Sequence, residues 1–376
     1  MPVIAPVVVY TGHMFEQDGA QEPALAGRVA EALDRLGADE AFGPLACGGD
    51  ILIAEALLAR GGTLHVVLPF AEPDFIEQSV LCGGEAWLAR YKACRAAASS
   101  LHFSTPGAYV DDDNQFAYAT RLAMGLAALR ARETGGEAVQ LAIHAPGAAS
   151  FSATGLAGTA ADTRAWERLG KRTVTVDPGA VGRNLRFPPR LPAHGEAARE
   201  IRSILFADYK GFAALGEREL PLFMREVMGR IGQTLDRFGA HVEFRNTWGD
   251  ALYAIVDRPE TAASLALELQ DRLADLPEAL APAGTEAGMR IGLHYGPIWR
   301  GVDRVTGTPL WYGGEVNRTA RIEPVTPVGG VYCTETFAAA LLLEGSDCRF
   351  ELVGRMPLAK GFGEVVLYRL EPGDSS

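Results

Sequence analysis

The sequence predicts an α/β protein of two unlike halves: a parallel sheet covered by helices, then an α/β sandwich on an antiparallel sheet. Three observations predict it. In the first half, short apolar strand-like runs alternate with helical stretches, the pattern of strands buried on both faces. Residues 178–200 carry four prolines and several glycines and lose all periodicity. Beyond them the order becomes strand, helix, hairpin, helix, strand, a split βαβ arrangement.

Taken in order, "VVVYTGH" (7–13) reads as a strand and "PALAGRVAEALDRLG" (23–37) as a helix. "FGPLACGGD" (42–50) runs into the helix 51–61, and "TLHVVLP" (63–69) is the next strand. Later, 138–146 is a strand, 159–170 a helix and 172–177 a closing strand. The expected division is 1–178, a proline-rich semi-rigid linker at 179–200, and 201–376. In the last part, 203–212 is a strand. Leu220, Phe223, Val227, Ile231, Leu235 and Phe238 then recur at spacings of three and four, which makes 217–239 a long amphipathic helix. "FRNTWGDALYAIV" (244–256) is a hairpin, 259–276 a helix and 288–296 a strand.

The chain has 376 residues, 48% hydrophobic and 22% charged, ordinary for a globular protein with more than one domain. Its formal net charge of −12, with no run of lysine or arginine, argues against nucleic acid or an anionic membrane as partner. The five cysteines are scattered and form no CxxC pair, so a reducing compartment is expected, with neither structural zinc nor a disulfide framework. "MPVIAPVVVY" lacks a basic leader and reads as a first buried strand, and no apolar run approaches a membrane span. The expected location is cytoplasmic.

The chemistry-bearing residues gather in the second half. Asp208 closes the first strand there, and Asp250 follows Gly249 at the hairpin tip. If those strands are neighbours, the two carboxylates meet at one sheet edge, where mutual repulsion is costly unless a cation sits between them. Oxygen-only ligands suit Mg²⁺ or Mn²⁺ shared with nucleotide phosphates. Gly249 would let a phosphate or metal approach the backbone. For each aspartate alone, a turn-forming or capping role is the plainer alternative. "YGGEVNRTARIEP" (312–324) places Asn317 and Arg321 four apart on one face of a helix that follows a glycine turn, equipped for sugar and phosphate oxygens. A solvated surface helix is the alternative there. Lys360, in the turn before the last strand, is a further phosphate cation.

Five motifs in register, "FADYKGF", "NTWGD", "GLHYGPI", "YGGEVNRTARIE" and "LAKGFGEVVLYRL", resemble the catalytic domain of class III nucleotidyl (adenylate/guanylate) cyclases. The resemblance implies a ferredoxin-like fold, cyclisation of a nucleoside triphosphate, and a homodimer with two shared sites. It implies two Mg²⁺ or Mn²⁺ ions per site, held by Asp208, Asp250 and the Tyr209 carbonyl. Asn317 would orient the ribose, Arg321 would stabilise the α-phosphate, and Lys360 would pair with the β- and γ-phosphates.

The base-reading positions depart from that family. Asn246 stands where adenylate cyclases have lysine and guanylate cyclases glutamate, and Leu310 stands where they have aspartate or cysteine. Three readings are open: adenine read by backbone or Arg245; a pyrimidine base, as in bacterial cyclases of phage defence; or a non-catalytic nucleotide-binding signalling or scaffold protein. Trp248 and Trp311 offer stacking faces or core packing. The first half resembles the Rossmann-like SLOG superfamily, which implies a nucleotide-derived ligand. His13, Cys47, Asp50 and Glu55 are its candidate pocket residues, beside glycine turns at 46–57 and 155–170.

Overall fold

The computed structural model describes residues 4–145, 157–181, 198–281 and 286–373. The chain divides into two compact units, Met1–His194 and Gly195–Ser376.

The first unit runs β1 (Val7–Gly12), α1 (Glu22–Leu36), β2 (Glu40–Gly43), α2 (Gly49–Ala59), β3 (Thr63–Leu68), α3 (Glu72–Phe75), α4 (Glu85–Ala97), β4 (Ser100–Phe103), α5 (Asn114–Thr134), β5 (Ala138–Ile143), α6 (Thr159–Arg168) and β6 (Thr173–Val176). Every pairing is parallel, in the order β4-β3-β2-β1-β5-β6. β1 is buried along its whole length, as an apolar strand covered on both faces must be. On α1, Leu25, Val29, Ala32 and Leu33 turn inward at helical spacing, and Gly37 ends the helix at φ 62°, a conformation glycine adopts without strain. The chain adds strands from β1 outward to β4, then returns to place β5 on the other side of β1. The carboxyl ends of β1 and β5 therefore form a topological switch point, where open α/β sheets leave a crevice. Elements α3, α4, β4 and α5 fill residues 70–137, to which no element had been assigned.

The second unit runs β7 (Ala198–Lys210), α7 (Leu220–Phe223), α8 (Gly229–Phe238), β8 (Val242–Trp248), β9 (Ala251–Val256), α9 (Pro259–Arg272), β10 (Gly288–Val302), β11 (Pro309–Tyr312), α10 (Gly314–Thr319), β12 (Val331–Thr334), α11 (Glu335–Leu343), β13 (Arg349–Pro357) and β14 (Glu364–Glu371). Its sheet has the order β13-β14-β12-β10-β7-β9-β8, with β11 paired to β10. The β10-β7-β9-β8 portion is the strand order of a ferredoxin-like βαββαβ unit. Only β10 with β12 is parallel. The expected long helix exists as α7 and α8 joined by one π-helical stretch, Met224–Met228, and it buries Phe223, Val227, Ile231 and Leu235. The α/β fold class is therefore the expected one. β7 starts three residues inside the expected linker, because 198–200 pair with β10. The remainder of that linker, 182–197, lies outside the described residues, as does 155–156 of the second glycine turn.

Candidate functional site

The β7–β9 pairing and the tight β8–β9 turn carry Asp208 and Asp250 to the same end of the sheet. Gly249 has φ 63°, which a side chain would strain, and a Cβ there would meet only the Phe212 ring at 4.0 Å. The turn thus needs glycine for its backbone conformation, and the space over its Cα is open apart from that ring. Asp250 is half-buried, and its carboxyl is raised above the usual range by burial first and then by the neighbouring Asp208 carboxylate. Two carboxyl groups are therefore brought together, as the strand order required.

The sequence reading missed what surrounds them. Arg290 on β10 lies directly across from Asp208 in the ladder, and its Nη2 donates to Asp208 Oδ2 at 2.7 Å. The same nitrogen lies 2.7 Å from Glu323 Oε1, close but poorly aligned for a hydrogen bond. Burial pushes the Glu323 carboxyl up to about 7 even though Arg290 pulls it down. A charged residue inside the otherwise apolar "GMRIGLHYG" was the available signal. Tyr209 turns its side chain into the core, donating to Leu280 O at 3.1 Å and packing against Phe223. Only its main-chain carbonyl is available as a ligand.

Whether a divalent cation fits can be judged from this donor set. Among the described residues no three His, Cys, Asp or Glu side chains gather around one point. Two hard carboxylates pressed together, with a backbone carbonyl beside them, nevertheless suit Mg²⁺, which keeps most of its shell for water and phosphate oxygens. The residues fit a cation of that kind.

Asn317 is exposed on α10, but α10 ends at Thr319. Arg321 therefore does not share an α-helical face with it; it lies in the turn that follows, where its N–H donates to Arg318 O at 2.9 Å. Its guanidinium Nε is buried without a hydrogen-bond partner. α10 is anchored by a buried pair that sequence reasoning did not single out: His294 Nε2 lies 2.9 Å from Glu315 Oε2, and His294 Nδ1 lies 2.9 Å from Thr334 Oγ1. Burial alone would raise the Glu315 carboxyl, but His294 and Arg318 outweigh it and hold it low. Lys360 is exposed at φ 61°, strained for a residue with a side chain, in a loop closed by Leu358 N–H donating to Gly363 O at 2.8 Å. No hydrogen bond or ion pair among the described residues joins Asn317, Arg321 or Lys360 to either aspartate.

At the base-reading positions, Asn246 is exposed on the edge strand β8 opposite Tyr253, and its Oδ1 accepts from Thr247 N–H at 2.9 Å. Leu310 is half-buried on β11, opposite Gly301. Arg245 is engaged by Asp236 at 2.6 Å. Trp311 is core, while Trp248 is 61% exposed.

The first unit holds a cleft at its switch point, lined from β1, α2, α5 and α6. His13 and Asp50 line it, as expected. Glu55 does not, because both its carboxylate oxygens accept from Arg90. Cys47 does not either; it is fully buried, with its Sγ 3.7 Å from that of Cys82. Asp50 accepts from Gly12 N–H at 2.7 Å and Ala46 N–H at 3.2 Å, and burial raises its carboxyl well above the usual range. Gly12 permits this closeness, since a Cβ there would lie 2.6 Å from Gly49 Cα. Asp162, not anticipated, accepts from Thr11 Oγ1 at 2.9 Å and from Thr120, and burial pushes it up to about 6. Burial, and then His144, lowers His13 to about 4.

Residues 196–372 match the family of adenylate and guanylate cyclase catalytic domains. Among solved structures, the adenylyl cyclase CyaB from P. aeruginosa is 16% identical, over 48% of this chain and 97% of its own, with a TM-score of 0.42. The guanylate cyclase domain of RhGC from Catenaria anguillulae, solved with GTP, is 19% identical over 47% of this chain and 99% of its own, with a TM-score of 0.40. An adenylate cyclase from Trypanosoma brucei is 19% identical over 46% and 89%, with a TM-score of 0.39. No curated protein matches the chain. Among the described residues, no helix is long and apolar enough to cross a membrane.

Proposed function

We propose that the second unit, matched over residues 196–372 by the adenylate and guanylate cyclase catalytic domain, makes this chain a nucleotidyl cyclase. It converts a nucleoside triphosphate to a 3′,5′-cyclic nucleotide and pyrophosphate. The observation that carries the reading is the adjacency of Asp208 and Asp250 inside the matched segment. In the reaction the ribose 3′-oxygen bonds to the α-phosphorus, the bond from that phosphorus to the β-bridging oxygen breaks, and the hydroxyl proton is released.

Asp208, Asp250 and the Tyr209 carbonyl would hold two Mg²⁺ or Mn²⁺ ions. Bound there, the ions supply neutralisation of the triphosphate and activation of the 3′-hydroxyl. Arg290, tied to Asp208 and Glu323, keeps the Asp208 carboxylate oriented at the strand end. Arg321, whose buried Nε lacks a partner, stabilises charge on the α-phosphate; Asn317 positions the ribose, and Lys360 pairs with the β- and γ-phosphates. These three come from one copy and the aspartates from another, which makes the working form a homodimer with two shared sites. Exposed Trp248 and Tyr312, large apolar side chains beside the base-reading positions, support a covering partner. The base is ATP's adenine or a pyrimidine, since Asn246 donates and accepts while Leu310 only packs. The first unit, on its SLOG-like pattern, acts as a sensor for a nucleotide-derived ligand.

The decisive experiment incubates the protein with Mn²⁺ or Mg²⁺ and ATP, GTP, CTP or UTP separately, with products identified by mass spectrometry. One cyclic product, lost in Asp250→Ala, is the expected result. No product from any triphosphate would favour the non-catalytic reading, for which the departures at Asn246 and Leu310 speak.

A further inference from the structure

The cleft of the first unit is built for one sign of charge. Two carboxylates line it, Asp50 at 3% and Asp162 at 8% exposure, and among the described residues neither lysine nor arginine does. The two helices that start at the cleft would ordinarily attract a phosphate to their first turns. Here each first turn carries its own acid, Asp50 in α2 and Asp162 in α6, so the positive helix ends are already answered from within the protein. A second feature points to a ligand. Ser79 is 2% exposed and Thr159 6%, both line the cleft, and neither hydroxyl has a hydrogen-bond partner among the described residues. Neither is among the fully buried polar atoms that lack a partner, so both hydroxyls reach the cleft and can meet an occupant there. The lining also carries apolar side chains, among them Val67, Phe75 and Phe116.

We infer that this cleft binds a phosphate-free small molecule that presents an amino or amidino group to Asp162, with a flat apolar body against Phe75 and Phe116 and polar contacts to Ser79 and Thr159. Asp162 is the anchor, because its partners Thr11 and Thr120 are neutral hydroxyls and leave its charge unpaired. Asp50, held by two backbone N–H groups, shapes the wall. The inference rests on reading the first unit as a ligand-binding domain and narrows its ligand: a nucleobase or nucleoside amine fits, and a nucleotide does not. The phosphate would face two buried acids without a cation, the arrangement that costs most in a low-dielectric site.

Two matched pairs of probes test this on the full-length chain: benzamidine against benzoate, alike in shape and opposite in charge, and adenosine against adenosine monophosphate. Calorimetry should give benzamidine and adenosine dissociation constants at least about 10-fold below those of their anionic partners. Asp162→Asn should weaken benzamidine about 10-fold, and Ser79→Ala should weaken it by a smaller factor; the milder Ser79 variant keeps the test alive if Asp162→Asn folds poorly. Asp250→Ala should leave both constants unchanged, which separates this cleft from the second unit. Equal or tighter binding of benzoate or the monophosphate would overturn the inference. So would binding indifferent to both cleft variants, or no binding of any probe at about 10 mM, weaker than a site of this kind allows. Cyclic-product formation is read in a separate assay, so failure here leaves the cyclase proposal standing, and the reverse also holds.

Discussion

Each unit holds a pair of aspartates at the end of a β-sheet, and the two pairs live in opposite surroundings. Asp50 and Asp162 are buried and satisfied by neutral donors: two backbone N–H groups for one, two threonine hydroxyls for the other. Asp208 and Asp250 are partly exposed, close enough for one carboxylate to raise the other, and share the neighbourhood of one arginine. A buried acid given neutral donors has been fixed in place, and its removal should be felt by the fold. Two acids pressed together at an open edge keep lone pairs in reserve, and their removal should be felt by chemistry. The residue type alone separates neither case; the partners do.

The largest expected effects fall on the second pair. Asp208→Ala or Asp250→Ala should lower cyclic-nucleotide formation by more than about 100-fold, since removing even a group that only hydrogen-bonds a metal's ligand costs about 10- to 100-fold. Thermal unfolding of these variants should stay close to the parent. A large loss of stability with activity retained in the folded fraction would place this pair in the same class as the first. Arg321→Ala should cost about 10²- to 10³-fold in kcat. Mixed one to one, the inactive Asp250→Ala and Arg321→Ala chains should recover about a quarter of parental activity, because half the dimers would carry one intact site of two. No recovery would place aspartates and arginine in the same copy.

The first pair should show the reverse. Asp50→Ala leaves the Gly12 and Ala46 N–H groups without their acceptor and should destabilise the first unit by about 2–4 kcal/mol, read by chemical denaturation. Asp162 adds a pH signature. Its folded value, about 6, lies above the ordinary aspartate value of 3.8, so the folded state binds the extra proton between them. Its contribution is therefore greatest below about pH 4, falls as pH rises towards 6, and is flat above, with a span of roughly 3 kcal/mol. Asp162→Asn should remove that slope. An unchanged slope would mean that the carboxylate is paid no burial penalty and that the contrast between the pairs is overdrawn.

Much of this contrast was legible beforehand on one side only. Strand order in the second unit followed from a helix whose inward residues recur at three and four and from a two-residue turn at Gly249, so the meeting of Asp208 with Asp250 could be foreseen. Arg290 could not, because its partnership is set by register across β7 and β10, which no local pattern reveals. Nor could the early end of α10, where turns continue the helix through Arg321 without α-helical geometry. In the first unit α5 escaped notice for a different reason. Twelve of its residues are buried and they surround the helix, so the polar face that announces an amphipathic helix is thin. With α5 unseen, Phe116 and Thr120 could not be placed in the cleft. Asp162 is by local sequence only a first-turn acid of α6, and nothing local shows that the fold sets it beside Thr11, 151 residues away.

The smallest effect tests whether strain marks function in the second unit as burial does in the first. Lys360 adopts φ 61°, where a side chain costs about 1–2 kcal/mol and glycine nothing. Lys360→Gly relieves that cost but loses about 0.5–1 kcal/mol to the greater freedom of the unfolded chain, so the net gain should be about 1 kcal/mol or less. Lys360→Ala keeps the strain. Both variants remove the ammonium and should raise KM for the triphosphate by the same factor, while only the glycine variant gains stability. If the two variants instead differ in KM, the loop's conformation and not the charge it carries governs substrate binding. If they match in KM and differ in stability, the chain holds a strained backbone there to aim a lysine at phosphate.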